Sequence, residues 1–315
     1  VLKRNRPFTR PACREDDMAI RWSWASPRIA LIPAMAITVV AFFGAILWTI
    51  WISFTKSRRF PDYDINWDNL SRQYDRLFND NAWTTSLQNV WVLAVGSGLA
   101  IVFGFVLAAM IEREARGEGF FRTIFLYPLA VSFIVTGLVW RWMFNPDLGI
   151  ENFLHDLGWE SANFNWLGDR QTAMYGIILA SIWHGLGFYM ALMLAGLKSI
   201  NTEIWSAAKL DGVSVWRLYV EIIIPMLKFT FLTCAILLSL GVVKTYDIVL
   251  AMTGGGPGTS TWTPAYFVVN SFQSRGNIGY ASAAAVMMLL MTALIFLPLV
   301  VLTAWQTRKR EASST

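Results

Sequence analysis

Residues 173–197 read AMYGIILASIWHGLGFYMALMLAGL, an apolar run without one Asp, Glu, Lys or Arg. A helix needs about 20 mostly apolar residues to cross about 30 Å of hydrocarbon, so this run is long enough to span a bilayer. Similar runs flank it: Ile29–Phe54, Ser86–Ile111 and Thr123–Phe144 before, Phe229–Thr253 and Ala281–Trp305 after. In lipid every backbone N–H and C=O must be paired inside its own segment, so each run reads as a helix. Pro33, Pro128 and Pro298 lie inside such runs, where neighbouring helices can satisfy the groups that a kink frees. The expected fold is all-α: a polytopic membrane protein with six transmembrane helices over 29–305, a basic tail over 1–28 and a short tail over 306–315.

Of the 315 residues 55% are hydrophobic and only 15% charged, and 16 Trp and 21 Phe add bulk that one water-soluble core would struggle to hide. Lys3, Arg4, Arg6 and Arg10 ahead of the first run resemble the start of a secretion signal. That run is longer than a signal core and ends without a small-residue cleavage site, so a retained first helix is expected. Cys13 in the tail and Cys234 in a helix offer no disulfide framework. The two histidines, His155 and His184, form no metal-binding pattern.

Orientation follows from the bias of Lys and Arg among the connections. Lys3 to Arg28 in the tail, Arg113, Arg116 and Arg122, then Lys198, Lys209, Arg217 and Lys228, then Arg308, Lys309 and Arg310 share one side. The other side carries fewer: Lys56, Arg58, Arg59, Arg72, Arg76, Arg170 and Arg275. Both termini are therefore expected in the cytoplasm. The basic tails serve topology, and no nucleic-acid partner is needed to explain them. On the outer side, Phe153, Leu154, Leu157 and Trp159 suggest a short amphipathic helix, and Gly254-Gly255-Gly256-Pro257-Gly258 ends the fifth run abruptly.

Beyond the opening run comes a cytoplasmic connection, Asn201 to Pro225, with a pattern of its own. Asn201 or Thr202 can cap a helix, and Glu203 suits its first turn. Ile204, Trp205, Ala208 and Leu210 would make an apolar strip, and Gly212 can supply the positive φ that closes a helix cheaply. Val213–Ile224 reads as a second helical stretch that Pro225 ends. A lone segment of this kind could lie on lipid as an interfacial helix, or dock on a soluble partner.

The spacing resembles the signature loop of bacterial ABC importer permeases, in which Glu-Ala-Ala is followed after three residues by Gly, and after nine more by Ile-x-Leu-Pro. Here Ser206-Ala207-Ala208, Lys209-Leu210-Asp211, Gly212, the stretch Val213–Glu221 and Ile222-Ile223-Ile224-Pro225 fall in that order. Ser206 stands for the family's Glu and Ile224 for its Leu, so docking is expected to depend on backbone shape and apolar contact more than on that acid. Trp140-Arg141-Trp142-Met143-Phe144-Asn145-Pro146 and Tyr246-Asp247 before Met252-Thr253-Gly254 resemble the carbohydrate branch. Phe125-Leu126-Tyr127-Pro128 and Ser274-Arg275-Gly276 are similar to segments of glucose/mannose importers.

The resemblance implies a sugar-translocating subunit in the bacterial plasma membrane. It would pair with a second permease subunit, two cytoplasmic ATPase subunits and an extracytoplasmic sugar-binding protein. It places ATPase docking on Glu203, Ser206, Ala207, Ala208, Asp211, Gly212, Ile222 and Pro225. No Gly-x-x-x-x-Gly-Lys-Ser/Thr phosphate loop occurs in these residues, so no cofactor is expected on this chain, and ATP and Mg would be used by the partner ATPase. The chain itself is expected not to be an enzyme.

Lys244 and Asp247 sit three residues apart in the fifth run, on one face of a helix and able to pair. Facing lipid, each would cost on the order of 2.5–3.5 kcal/mol. They are expected to line a sugar pathway with Tyr246, Trp183 and Tyr189, or else to form a structural ion pair or meet the second permease subunit. Two rivals remain: an ion-coupled secondary transporter, which predicts inverted halves with broken helices, and a membrane enzyme, which needs convergent catalytic groups.

Overall fold

The computed structural model describes residues 27–313 apart from 66, 68, 69, 114–116, 160 and 162–164; at 27–30, 113 and 298–313 only the backbone is described. The basic tail up to residue 26 with Cys13, and Asp68, Arg116 and Glu160, lie outside the described residues. The described residues divide into two compact units between Trp48 and Thr49. In the first, α1 (Pro27–Ser53) sets out with Pro33 inside the helix and with Leu31, Ile37, Val40 and Leu47 exposed. A helix apolar on all faces suits lipid or a protein neighbour.

In the second unit follow α2 (Arg72–Phe78), α3 (Asn81–Arg113), α4 (Glu118–Leu126), a 3₁₀ turn at Tyr127–Ala130, α5 (Phe133–Met143) and α6 (Ile150–Asp156). Then come α7 (Ala173–Lys198), α8 (Thr202–Leu210), α9 (Val215–Arg217), a wide π turn at Leu218–Ile223 and α10 (Ile224–Met226). The chain ends through α11 (Lys228–Val243), α12 (Asp247–Met252), α13 (Pro264–Gln273) and α14 (Ile278–Ser313). The amphipathic helix expected around 153–159 is α6, and residues 306–313, expected as a tail, continue α14.

Four helices, α1, α3, α7 and α14, are each long and apolar enough to span a membrane. The third and fifth expected spans are not single helices. The 118–130 and 133–143 segments meet at 95°, and 215–226 and 228–243 at 69°; with each bent pair counted as one span, the described residues hold up to six. Pro128 lies in the 3₁₀ turn at the first bend, where its missing N–H leaves no ladder bond to lose. Past it, the Ser132 hydroxyl accepts from the Val135 N–H at 3.3 Å and restarts the helix as α5. In a regular helix the Pro225 ring would meet the carbonyl four residues earlier, and the π turn just before it widens the coil there. The bend itself falls at Leu227, two residues after the expected stop at Pro225.

A further break separates α11 from α12 at 244–246, so Lys244 and Asp247 do not share a helical face as expected. The break is held from outside. The Thr263 hydroxyl donates to the Thr245 carbonyl at 2.6 Å, and Tyr246 stacks on Tyr266 with centroids 6.0 Å apart.

Helix α3 runs along α7, and two glycines of α3 allow the close approach. A Cβ on Gly104 would stand 2.8 Å from the Met190 backbone nitrogen, and one on Gly96 2.7 Å from Ile178 Cδ1, whereas Gly98 faces open space. Replacing Gly104 by Val is expected to wedge the helices apart at a cost of about 1–3 kcal/mol. Thermal unfolding in detergent should show a lowered midpoint for that variant and an unchanged one for Gly98→Val.

Apolar side chains gather into two clusters. One, centred on Trp83, Phe267 and Tyr280, packs around α13; the other, with Met190, Met193, Leu197, Tyr219 and Ile223, lies towards α8. On the α13 side Asp80 ties separate elements together. Its carboxylate accepts the Ala82 N–H at 2.8 Å, the Tyr280 hydroxyl at 2.8 Å and an Arg275 N–H at 3.5 Å. On the α8 side Lys198 pairs with Glu118 in the first turn of α4.

Candidate functional site

Two features stand out in the second unit, the 201–225 loop and a cavity at the broken fifth helix. In the loop the Asn201 side chain accepts the Glu203 N–H at 3.1 Å and caps α8. At the other end Gly212 has φ +65° and the Val213 N–H reaches back to the Ala208 carbonyl at 3.1 Å, closing the helix with a left-handed residue. Ala208 is buried and Ile204 and Trp205 half-buried, with Trp205 edge-on to Tyr219 at 6.0 Å. Leu210, expected in that strip, is instead 88% exposed, because it lies on the last turn beyond the reach of Tyr219's cluster.

Most of the residues read as docking positions face outward. Glu203, Ser206, Ala207, Asp211, Gly212 and Pro225 are exposed and Ile222 half-buried. The Ser206 hydroxyl donates to the Thr202 carbonyl at 3.0 Å, and the Glu203 carboxylate accepts from Asn201 Nδ2 at 3.1 Å. Ser206 therefore spends its proton on its own helix and presents a small, quiet surface.

The cavity measures about 250 Å³ and lies where the two apolar clusters meet. Helix α3 contributes Ser97, α5 Phe133, α7 Ser181, His184 and Tyr189, and the break between α11 and α12 contributes Lys244, Thr245, Tyr246 and Asp247. His184 is buried; its Nδ1 is 3.3 Å from the Thr136 hydroxyl, and its ring lies 4.0 Å from that of Phe133. Lys244 and Asp247 are both exposed to the cavity, and among the described ion pairs none joins them. The break leaves both charges on the same cavity without an ion pair between them.

Beside the break, burial and then the neighbouring Tyr246 push the Tyr266 hydroxyl above the ordinary tyrosine range. It stays a donor to the Gly254 carbonyl at 2.5 Å and so ties the glycine run to the same scaffold.

Of the pathway residues read from sequence, Lys244, Tyr246, Asp247 and Tyr189 come together on this cavity. Trp183 does not; it packs edge-on to Trp140 at 6.1 Å, one position away from His184. Sequence reading missed Ser97, Ser181 and Phe133 as wall residues. Hydroxyls in a spanning helix also bond their own backbone, as Ser181 does to the Ile177 carbonyl at 2.8 Å, so only the packing shows which face a cavity.

With this geometry in view, comparison with known proteins gives consistent results. Residues 100–311 match the family described as binding-protein-dependent transport system inner membrane component. The chain is 37% identical to a probable ABC transporter permease protein of Pyrococcus horikoshii, covering 85% of this chain and 92% of that protein. It is 33% identical to a xylose/arabinose import permease protein of Haloferax volcanii, over 80% of each. Its fold matches that of a bacterial ABC transporter involved in import of the acidic polysaccharide alginate, with TM-score 0.73 and 18% identity over 90% of this chain and 95% of that one. A structure of an alginate ABC transporter with its alginate pentasaccharide-bound periplasmic protein matches at TM-score 0.72 and 18% identity, over 85% and 92%. The chain belongs to the family of binding-protein-dependent transport system inner membrane components, and it is a permease subunit of an ABC transporter.

Proposed function

We propose that this permease is one of a pair in the plasma (inner) membrane that imports a sugar, with both termini in the cytoplasm. The observation that carries the reading is the cavity at the broken fifth helix, which sets hydroxyl groups and one charge of each sign beside an aromatic face. Such a wall suits a polyhydroxylated solute, whose hydroxyls donate and accept while its C–H face lies on Phe133 or Tyr246. The name of the Haloferax relative supports a sugar as cargo. The 201–225 loop would seat a separate ATPase subunit, which uses ATP and Mg and moves the loop as a lever between inward- and outward-facing states. A delivery protein would load the pathway from outside, as the periplasmic protein in the alginate complex suggests.

Reconstitution tests this. Proteoliposomes holding the permease pair and the ATPase should take up labelled pentose or hexose only with ATP inside and delivery protein outside. Uptake that continued without any ATPase would sink the reading in favour of a secondary transporter.

A further inference from the structure

Away from the cavity at the broken helix, a second cleft of about 450 Å³ opens beside the α13–α14 turn, lined among others by Arg59, Gln273, Ser274 and Arg275. The two guanidinium groups reach it differently. Arg275 is held in place: Asp80 takes one N–H at 3.5 Å, and the rings of Trp262 and Phe267 lie under the guanidinium at 5.3 and 5.8 Å. Asp80 is itself fixed by the Tyr280 hydroxyl. A guanidinium has five N–H groups in a rigid fork, so most of those on Arg275 stay available.

Arg59 is exposed and makes no ion pair with any described residue. Its Cγ lies 3.2 Å from where a Cβ on Gly276 would stand, so its stem rests on the turn that carries Arg275.

Among the described residues only Asp80 forms an ion pair with either guanidinium. Lys56 and Arg58 are exposed beside Arg59. Asp62 is turned to its own loop, its backbone bonded twice to Ser57 at 2.9 Å and its carboxylate to the Asp64 N–H at 3.2 Å. Asp80 offsets one charge of the two that line the cleft. What remains is a pre-formed, cationic, hydroxyl- and amide-edged cleft on loops that the charge bias places outside the membrane.

We propose that this cleft receives an acidic side chain of the extracytoplasmic delivery protein, an Asp or Glu carboxylate held by Arg59 and Arg275 with Ser274 and Gln273 as flanking donors. The proposal rests on the importer reading above and adds to it the place where the delivery protein is caught. A partly exposed charge contact of this kind speeds association and fixes register, and salt weakens it.

The test uses the complete importer in nanodiscs, with sugar-loaded delivery protein binding measured at about 50 mM and about 500 mM salt. Arg59→Glu is decisive, because Arg59 has no ion-pair partner among the described residues to strand, whereas changing Arg275 also disturbs Asp80. Arg59→Glu should weaken binding at least tenfold at low salt and much less at high salt. Arg59→Lys should keep most of it, and basal ATP hydrolysis should stay unchanged in both. Unaltered binding of the Arg59→Glu importer at both salts, with the wild-type importer transporting normally, would overturn this inference alone. Loss of free galacturonate binding in Arg59→Glu, with delivery-protein binding intact, would also overturn it and make the cleft a free-anion site. If the wild-type importer bound no delivery protein, the importer reading would fall and this inference with it.

Discussion

Gly212→Pro is expected to leave the protein folded and inserted yet unable to hold its ATPase. Gly212 sits at φ +65°, and proline is confined near φ −65°, so the substitution cannot be placed without moving the backbone. Proline also removes the N–H that reaches the Lys209 carbonyl at 3.3 Å, and it disfavours the helical conformation now held by Asp211, at φ −77° and ψ −3°. The cheapest escape is to unwind the last turn of α8, and that turn carries Ala207, Leu210 and Asp211 on its outward side. The contact of Trp205 with Tyr219 is anchored in the turn before and should survive.

Alanine separates backbone from bulk. A Cβ at position 212 meets nothing within 4 Å, so Gly212→Ala costs only the left-handed conformation, roughly 1–2 kcal/mol. If all of that appeared in binding, affinity would fall about five- to thirtyfold. Gly212→Pro should lose association by more than about a hundredfold. Co-purification with the ATPase and ATP hydrolysis by the reconstituted assembly give the readout. Normal co-purification of the proline variant would remove the loop from the interface.

The apolar runs and the loop were legible for different reasons. Lipid accepts only segments that pair their own backbone, so a run such as 173–197 declares a helix by length alone, and α7 occupies it almost residue for residue. The loop declared itself by chemistry at single positions, Asn201 as a cap and Gly212 as a left-handed stop, and both act as expected. The bends were not legible. Apolar length is the same whether a run is straight or turns by 95° at a proline, and the sequence from Lys244 to Tyr246 holds neither Gly nor Pro to mark a break. That break depends on Thr263 and Tyr266, side chains that come from the far end of the following loop. The cavity was half legible for the same reason. Charges inside a span announce themselves by their cost, which exposed Lys244 and Asp247, but Ser97 and Ser181 are cheap anywhere in a helix and become wall residues only through packing.

The break gives the second large prediction, that Asp247→Asn and Lys244→Met each abolish most uptake while the assembly stays intact. Were the two charges a structural ion pair, removing one would strand the other and destabilise the bundle, and removing both would largely restore it. Their placement argues otherwise. Each is exposed to the cavity, no described ion pair joins them, and the backbone between them is held by Thr263 and by Tyr246 on Tyr266.

Asn keeps the size of Asp but loses its charge, and Met keeps the length of Lys but loses its donors. A hydrogen bond from a sugar hydroxyl to a charged group contributes about 1.5–3 kcal/mol, so each variant should reduce uptake roughly ten- to 150-fold. Thermal midpoints in detergent should barely move, since neither side chain braces a described neighbour. The double variant should transport no better than the worse single one. Recovery of both stability and uptake in the Lys244→Met/Asp247→Asn double variant would turn the pair from pathway residues into a structural bond, formed in a state of the bundle other than this one. Unchanged uptake in both single variants would move the pathway away from the broken helix altogether.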